Sequence, residues 1–255
     1  MRIMMLGDVV GQAGVECVRR LLPGFRRQNG VDFVICNGEN SAQGNGILPK
    51  SADMLLDAGC DCITTGNHAL RRREIYDYMD RTPCVIRPAN YDPSAPGKGW
   101  YVIDRPPLRV LVLNLQGLVY LDAIRSPFDV ADELIAAADT KTIIVDFHAE
   151  ATSEKLCMGY YLDGRVSLVA GTHTHVPTAD ERVLDGGTGY ITDLGMCGGR
   201  DSVLGVRREL AIARMRTHLP TRFENDPNRI HLQGILADID PQTGKTSKIT
   251  RFEIE

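Results

Sequence analysis

Five short segments rich in metal-ligating side chains constrain this chain more than any other feature. They are Gly7-Asp8, Gly38-Glu39-Asn40, Gly66-Asn67-His68, Phe147-His148 and Gly171-Thr172-His173-Thr174-His175. Apolar runs precede them at Ile3 to Leu6, Phe33 to Cys36, Cys62 to Thr65, Thr142 to Phe147 and Val166 to Ala170. Runs of this length read as buried strands. Four of the chain's six histidines fall in these segments. Asp, Glu, Asn and His gathered at strand ends are the raw material of a two-metal hydrolase site.

Between the runs, apolar spacing turns helical. Val15, Val18, Leu21, Leu22 and Phe25 share a face over Gly11 to Gln28, with Pro23 expected to bend or end that helix. Ser51 to Ala58, Val130 to Ala138 and Ser153 to Leu162 are further helix candidates. The stretch Arg87 to Gly99 holds three prolines and reads as a loop. Trp100 to Ile103 and Val110 to Leu115 read as strands on either side of Pro106-Pro107. Tyr190 to Thr192 reads as a short strand before a loop at Gly195 to Gly199. The tail alternates from Ile230 to Ile239, turns at Asp240 to Gly244 and resumes at Lys248, which predicts a hairpin. Strands alternating with helices imply an α/β fold with a mixed sheet arrangement covered by helices. No linker, repeat or low-complexity tract divides it, so residues 1–255 are expected to form a single domain.

Bulk properties narrow the partners. A net charge of -4 argues against a dedicated nucleic-acid binder, and no extended nucleic-acid contact is expected. Small anionic substrates remain open, because a metal site brings its own positive charge. No run approaches the roughly 20 apolar residues of a membrane span, and the start is too short for a signal-peptide core. These points predict a cytoplasmic protein. Seven scattered cysteines without a C-x-x-C pair suit reduced, buried thiols. The oligomeric state stays open, a homo-oligomer included.

Each ligand-bearing segment has a plainer explanation taken alone. Asp8 would serve as a helix N-cap, Glu39-Asn40 as a turn, and His148 as a structural histidine. His173 and His175 are the strongest pair, since strand alternation would put both on one face. All five together are poorly explained by independent structural roles. Mixed nitrogen and oxygen donors suit Mn, Fe, Zn or Co better than Mg or Ca. Arg71, Arg72 and Arg73 read as a solvated helix face, Gly195 to Asp201 as a structural, substrate-contacting or subunit-contacting loop, and His218 and His231 as incidental.

The order of these motifs resembles the calcineurin-like metallophosphoesterase superfamily, whose pattern is GD-x-H, GD, GNH, a lone His and GH-x-H. The chain is more similar still to the YmdB-like branch, bacterial phosphodiesterases acting on cyclic nucleotides. The likeness also takes in Gly7 to Gly11, Thr178 to Arg182 and Thr192 to Met196 and spans nearly the whole chain. Three departures from the superfamily pattern stand out. Val10 replaces a histidine, Glu39 replaces the bridging aspartate, and Ala69 replaces an acidic residue after His68. The first two are normal in the closer branch, where the residue matching Asn40 is a ligand.

The resemblance implies a metallophosphoesterase-like α/β sandwich with mixed sheets flanked by helices. It implies two divalent or transition metal ions, iron or manganese with zinc compatible. Asp8, Glu39, Asn40 and His175 would hold one ion; Glu39, Asn67, His148 and His173 the other. His68 would be the catalytic acid, protonating the leaving alkoxide after hydroxide shared by the metals attacks phosphorus. What orients His68 is not legible. The implied substrate is a small phosphodiester such as a 2′,3′- or 3′,5′-cyclic nucleotide. A phosphomonoesterase on nucleotides and a non-catalytic nucleotide or RNA sensor are the alternatives.

Overall fold

The computed structural model describes residues 1–255 and places two six-stranded mixed sheets face to face with helices outside. The first half of the chain supplies β1 (Arg2–Val9), α1 (Gly11–Gln28), β2 (Phe33–Asn37), α2 (Pro49–Asp57) and β3 (Cys62–Thr64). A 3-10 turn (Arg73–Ile75) then leads into α3 (Tyr76–Arg81). The second sheet is built from β4 (Trp100–Arg105), β5 (Leu108–Gln116), β6 (Ile143–His148), β7 (Leu168–Thr172), β8 (Arg182–Val183) and β9 (Gly189–Ile191). Helices α4 (Pro127–Ala136) and α5 (Thr152–Tyr161) cross over between its parallel strands. The chain then returns to the first sheet through β10 (Met196–Gly199), α6 (Arg208–Thr217) and the hairpin β11 (Ile230–Ile239) and β12 (Thr246–Ile254).

Strand alternation sorts the core into layers. On β1, Ile3 and Met5 face the other sheet and join Ile35, Val112, Ile144 and Ile235 in the space between the two. Met4 and Leu6 face outward against Val15, Val18 and Leu22 of α1. The outer face of the second sheet buries Leu113, Leu115, Val145 and Phe147 under α4 and α5. Each such side chain contributes about 1.5–3 kcal/mol on burial. Apolar residues on both faces make β1, β2, β5 and β6 read as continuous hydrophobic runs rather than alternating ones.

Topology positions the functional residues. Strands β1, β2 and β3 run parallel in the first sheet, and β5, β6, β7 and β9 in the second. Their carboxyl ends therefore lie on one edge of the sandwich, where ligands gather in such sheets. The sheets touch there: Asn37 Nδ2 lies 3.3 Å from Asp146 Oδ2, and the His173 amide donates to Asp8 Oδ2 at 3.1 Å.

Several elements differ from the sequence expectations. Pro23 sits inside α1 without ending it; the packed face of Val15, Val18 and Leu22 holds the helix across the missing hydrogen bond. Gly195 to Gly199 is not all loop, since Met196–Gly199 lies beside the end of β1, with Asp8 opposite Met196. The glycines disguise this strand, and Gly199 is required, because a Cβ there would stand 2.4 Å from the Asp226 carbonyl oxygen. Helix α6 was not expected; its one buried residue is Ala211, too little to show as a pattern. No helix is long and apolar enough to cross a membrane.

Candidate metal centre

All eight singled-out residues converge at the shared strand edge. Asp8 lies on β1, Glu39 and Asn40 just beyond β2, Asn67 and His68 beyond β3, His148 at the end of β6, and His173 and His175 beyond β7. Gly66 makes room for the approach: a Cβ there would stand 2.1 Å from the His148 ring. Asp8, Glu39 and His148 are essentially inaccessible, while His68 remains partly open.

One group centres on His148. Its Nε2 is 2.9 Å from Asn67 Oδ1, 3.2 Å from Glu39 Oε1 and 3.1 Å from His173 Nδ1. A ring nitrogen carries at most one proton, so hydrogen bonds cannot satisfy all three contacts. A cation among the four atoms can, and Glu39, His148 and His173 bring their ligand atoms within 4.8 Å of one another. The other group centres on Asn40. Its Nδ2 is 3.4 Å from Asp8 Oδ1, 3.4 Å from Glu39 Oε1 and 3.1 Å from His175 Nε2. Asp8 Oδ1 and His175 Nε2 are 3.6 Å apart. Glu39 belongs to both groups.

Each of these three histidines turns its other nitrogen to an oxygen outside the cluster, as metal-binding imidazoles do. His148 Nδ1 meets Thr172 Oγ1 at 2.9 Å, and that hydroxyl donates to Asp146 Oδ1 at 2.7 Å. His175 Nδ1 meets the Leu204 carbonyl at 3.2 Å, and His173 Nε2 meets Glu150 Oε2 at 2.9 Å. Thr172, Asp146, Glu150 and Leu204 escaped sequence reasoning. Asp146 and Glu150 flank His148 at two residues' distance, which was the available signal.

His173 and His175 do not owe their aim to strand alternation. β7 ends at Thr172, and the two histidines have φ of 105° and 63°, a conformation seldom adopted outside glycine. The surrounding loop enforces it. Asp193 accepts from the Thr174 amide at 3.1 Å and the Gly195 amide at 2.9 Å, and is itself paired with the buried Lys155 at 2.7 Å.

The sequence left the orientation of His68 open; the structure supplies it. His68 Nδ1 is 2.8 Å from Asn40 Oδ1, and its backbone amide donates to Glu39 Oε2 at 2.9 Å. The arginines that follow are not a helix face. Arg72 donates to the Asn45 carbonyl at 2.9 Å and ties down the loop after Asn40, while Arg73 opens the 3-10 turn.

Electrostatics reflect two carboxylates crowded with imidazoles. Burial alone would raise Asp8 and Glu39, but His175 and His148 beside them hold both below the usual carboxylate range. Burial opposes the charging of His148, and Glu39 outweighs it, lifting the imidazole to about 9. Burial pushes His68 and His173 down. Behind His148, burial raises Asp146 to about 6.

A family model described as YmdB-like protein matches residues 4–252. The chain belongs to the YmdB-like family. Within it, the chain is 47% identical to a Bacillus subtilis protein named 2′,3′-cyclic-nucleotide 2′-phosphodiesterase, across 100% of this chain and 97% of that one. Two solved structures share the whole architecture. One, from Mycoplasma pneumoniae and described as a novel phosphatase, has a TM-score of 0.93 at 34% identity and covers 100% of this chain and 93% of its own. The other, a hypothetical protein of Thermus thermophilus, has a TM-score of 0.94 at 36% identity, covering 100% and 99%. This YmdB-like chain is a phosphoesterase with a metallophosphoesterase fold.

Proposed function

We propose that the chain is a metal-dependent phosphodiesterase acting on small phosphodiesters, with 2′,3′- or 3′,5′-cyclic nucleotides as substrates. One observation carries most of the weight: Glu39 Oε1 stands between two donor groups, 3.4 Å from the Asn40 amide and 3.2 Å from His148 Nε2. The name of the Bacillus subtilis relative supports the cyclic substrate. Asp8, Glu39, Asn40 and His175 would hold one cation, and Glu39, Asn67, His148 and His173 the second. A half-turn of the Asn40 amide would bring its oxygen to the Asp8–His175 side. This donor set suits iron or manganese, with zinc compatible. When bound, the two cations supply Lewis acidity, acidifying the attacking water and offsetting charge on the phosphoryl oxygens.

The chain's own part is positioning and proton transfer. His68 is tethered through its backbone amide to Glu39, which leaves the ring's Nε2 to protonate the departing alkoxide. Burial disfavours the imidazolium, and an anionic phosphodiester beside it favours that form. Metal analysis of protein loaded with Mn, Fe or Zn, followed by assay against cyclic nucleotides and phosphomonoesters, tests the reading. Two equivalents of metal and preference for the diesters are expected; no bound metal under any loading would refute it. His68→Ala should lower turnover about 10²–10⁴-fold with metal content nearly intact. Loss of both metals, or full activity, would remove His68 from this role.

A further inference from the structure

His173 differs from the other two histidines of the cluster in what stands behind it. His148 is backed by a hydroxyl and His175 by a backbone carbonyl, both neutral. His173 Nε2 faces a carboxylate, Glu150 Oε2 at 2.9 Å, while its Nδ1 faces the cluster, 3.1 Å from His148 Nε2. Its backbone has left the sheet with φ 105°, so no strand pairing fixes the ring. Glu150 is half exposed, at 48%, and forms no ion pair with any lysine or arginine. It lies two residues beyond His148, so one segment supplies both a candidate ligand and the acceptor for another.

We propose that Glu150 is the positioning residue of the second cation site. Its carboxylate accepts the His173 Nε2–H, which fixes the tautomer whose Nδ1 lone pair points at the cluster and holds the ring edge-on to His148, 4.8 Å away between centroids. An ionised acceptor bonds more strongly than a neutral one and makes the imidazole a better donor to a cation. Glu150 touches no substrate in this account; it acts through His173. The proposal rests on the dinuclear reading, and its test separates the two.

Chelator-stripped protein would be titrated with Co²⁺, following calorimetry and the cobalt d–d absorption. In Glu150→Ala, one of the two Co²⁺ equivalents should weaken by about 10–100-fold with an altered d–d band, while the other keeps its affinity. Glu150→Gln retains an oxygen that accepts from Nε2–H but lacks the charge, and should recover part of the loss. A merely structural side chain would produce neither the asymmetry nor the rescue. Wild-type affinity at both equivalents in Glu150→Ala would overturn the proposal, as would equal weakening of both equivalents in both variants. If the wild-type protein takes up no Co²⁺, the dinuclear reading falls and this inference falls with it.

Discussion

The two ends of the parallel strands handle buried charge in opposite ways. Where β1 and β3 begin, carboxylates meet arginines. Arg2 pairs with Asp238 at 2.7 Å, and Asp61 sits between Arg26 at 3.1 Å and Arg105. Where the parallel strands end, Asp8 and Glu39 are buried with no lysine or arginine paired to either; imidazoles are the only ionisable bases beside them. Buried carboxylates are costly unless a partner compensates them. The first end is matched by permanently charged guanidinium groups and contributes to folding, whereas the second relies on imidazoles, whose ring nitrogens also suit cations from outside.

The largest effect that could break this contrast lies at Glu39. Glu39→Ala should lower cyclic-nucleotide hydrolysis by about 10³-fold or more, equivalent to about 4 kcal/mol of transition-state stabilisation, and should weaken both metal equivalents. Elemental analysis and calorimetry decide it; a large drop in melting temperature with one metal retained at full strength would show that Glu39 is structural and not shared.

Asp193 sharpens the comparison from within the functional end. It lies near the cluster yet has its own cation, Lys155, with side-chain exposures of 1% and 2%. It should therefore behave like the matched end. Asp193→Ala leaves a buried ammonium unpaired and should cost about 3–5 kcal/mol of stability, read by urea unfolding. It should also loosen the Thr174 and Gly195 turns that aim the histidine pair. A variant as stable as wild type would mean that Lys155 finds another partner.

What the sequence could reveal follows the same division. Ile3 to Leu6 and Ile143 to Val145 are legible because burial on both faces demands unbroken apolar residues. Asp8, Glu39, Asn67, His148 and His173 are legible because the runs end at them. Asn40 is chemically ambiguous by itself and gains its place from the resemblance and then from its contacts with Asp8, His175 and His68. The backing residues were hidden for a physical reason: Thr172, Asp146 and Leu204 are ordinary residues until the chain's return path brings them behind an imidazole. His173 and His175 reach the same strand edge by a route other than the expected one, because alternation stops at Thr172 and left-handed backbone takes over.

The smallest effect belongs to the matched end. Asp238 is held below the usual carboxylate range by its hydrogen bond and charge contact with Arg2, against the opposing pull of burial. Its folded-state affinity for protons is thus lower than in the unfolded chain. The pair's contribution is fully present above the unfolded value of about 3.9 and is lost as pH falls from there through the depressed folded value. Both side chains are about one-third exposed, so Asp238→Asn should cost no more than about 1 kcal/mol at neutral pH. The difference between variant and wild type should shrink on acidification below about pH 4 and shrink with added salt at pH 7. Urea unfolding of both proteins across that pH range measures it. A gap that widens in acid would mean that Asp238 is stabilised as the neutral acid, and the matched end would then not be balanced by charge at all.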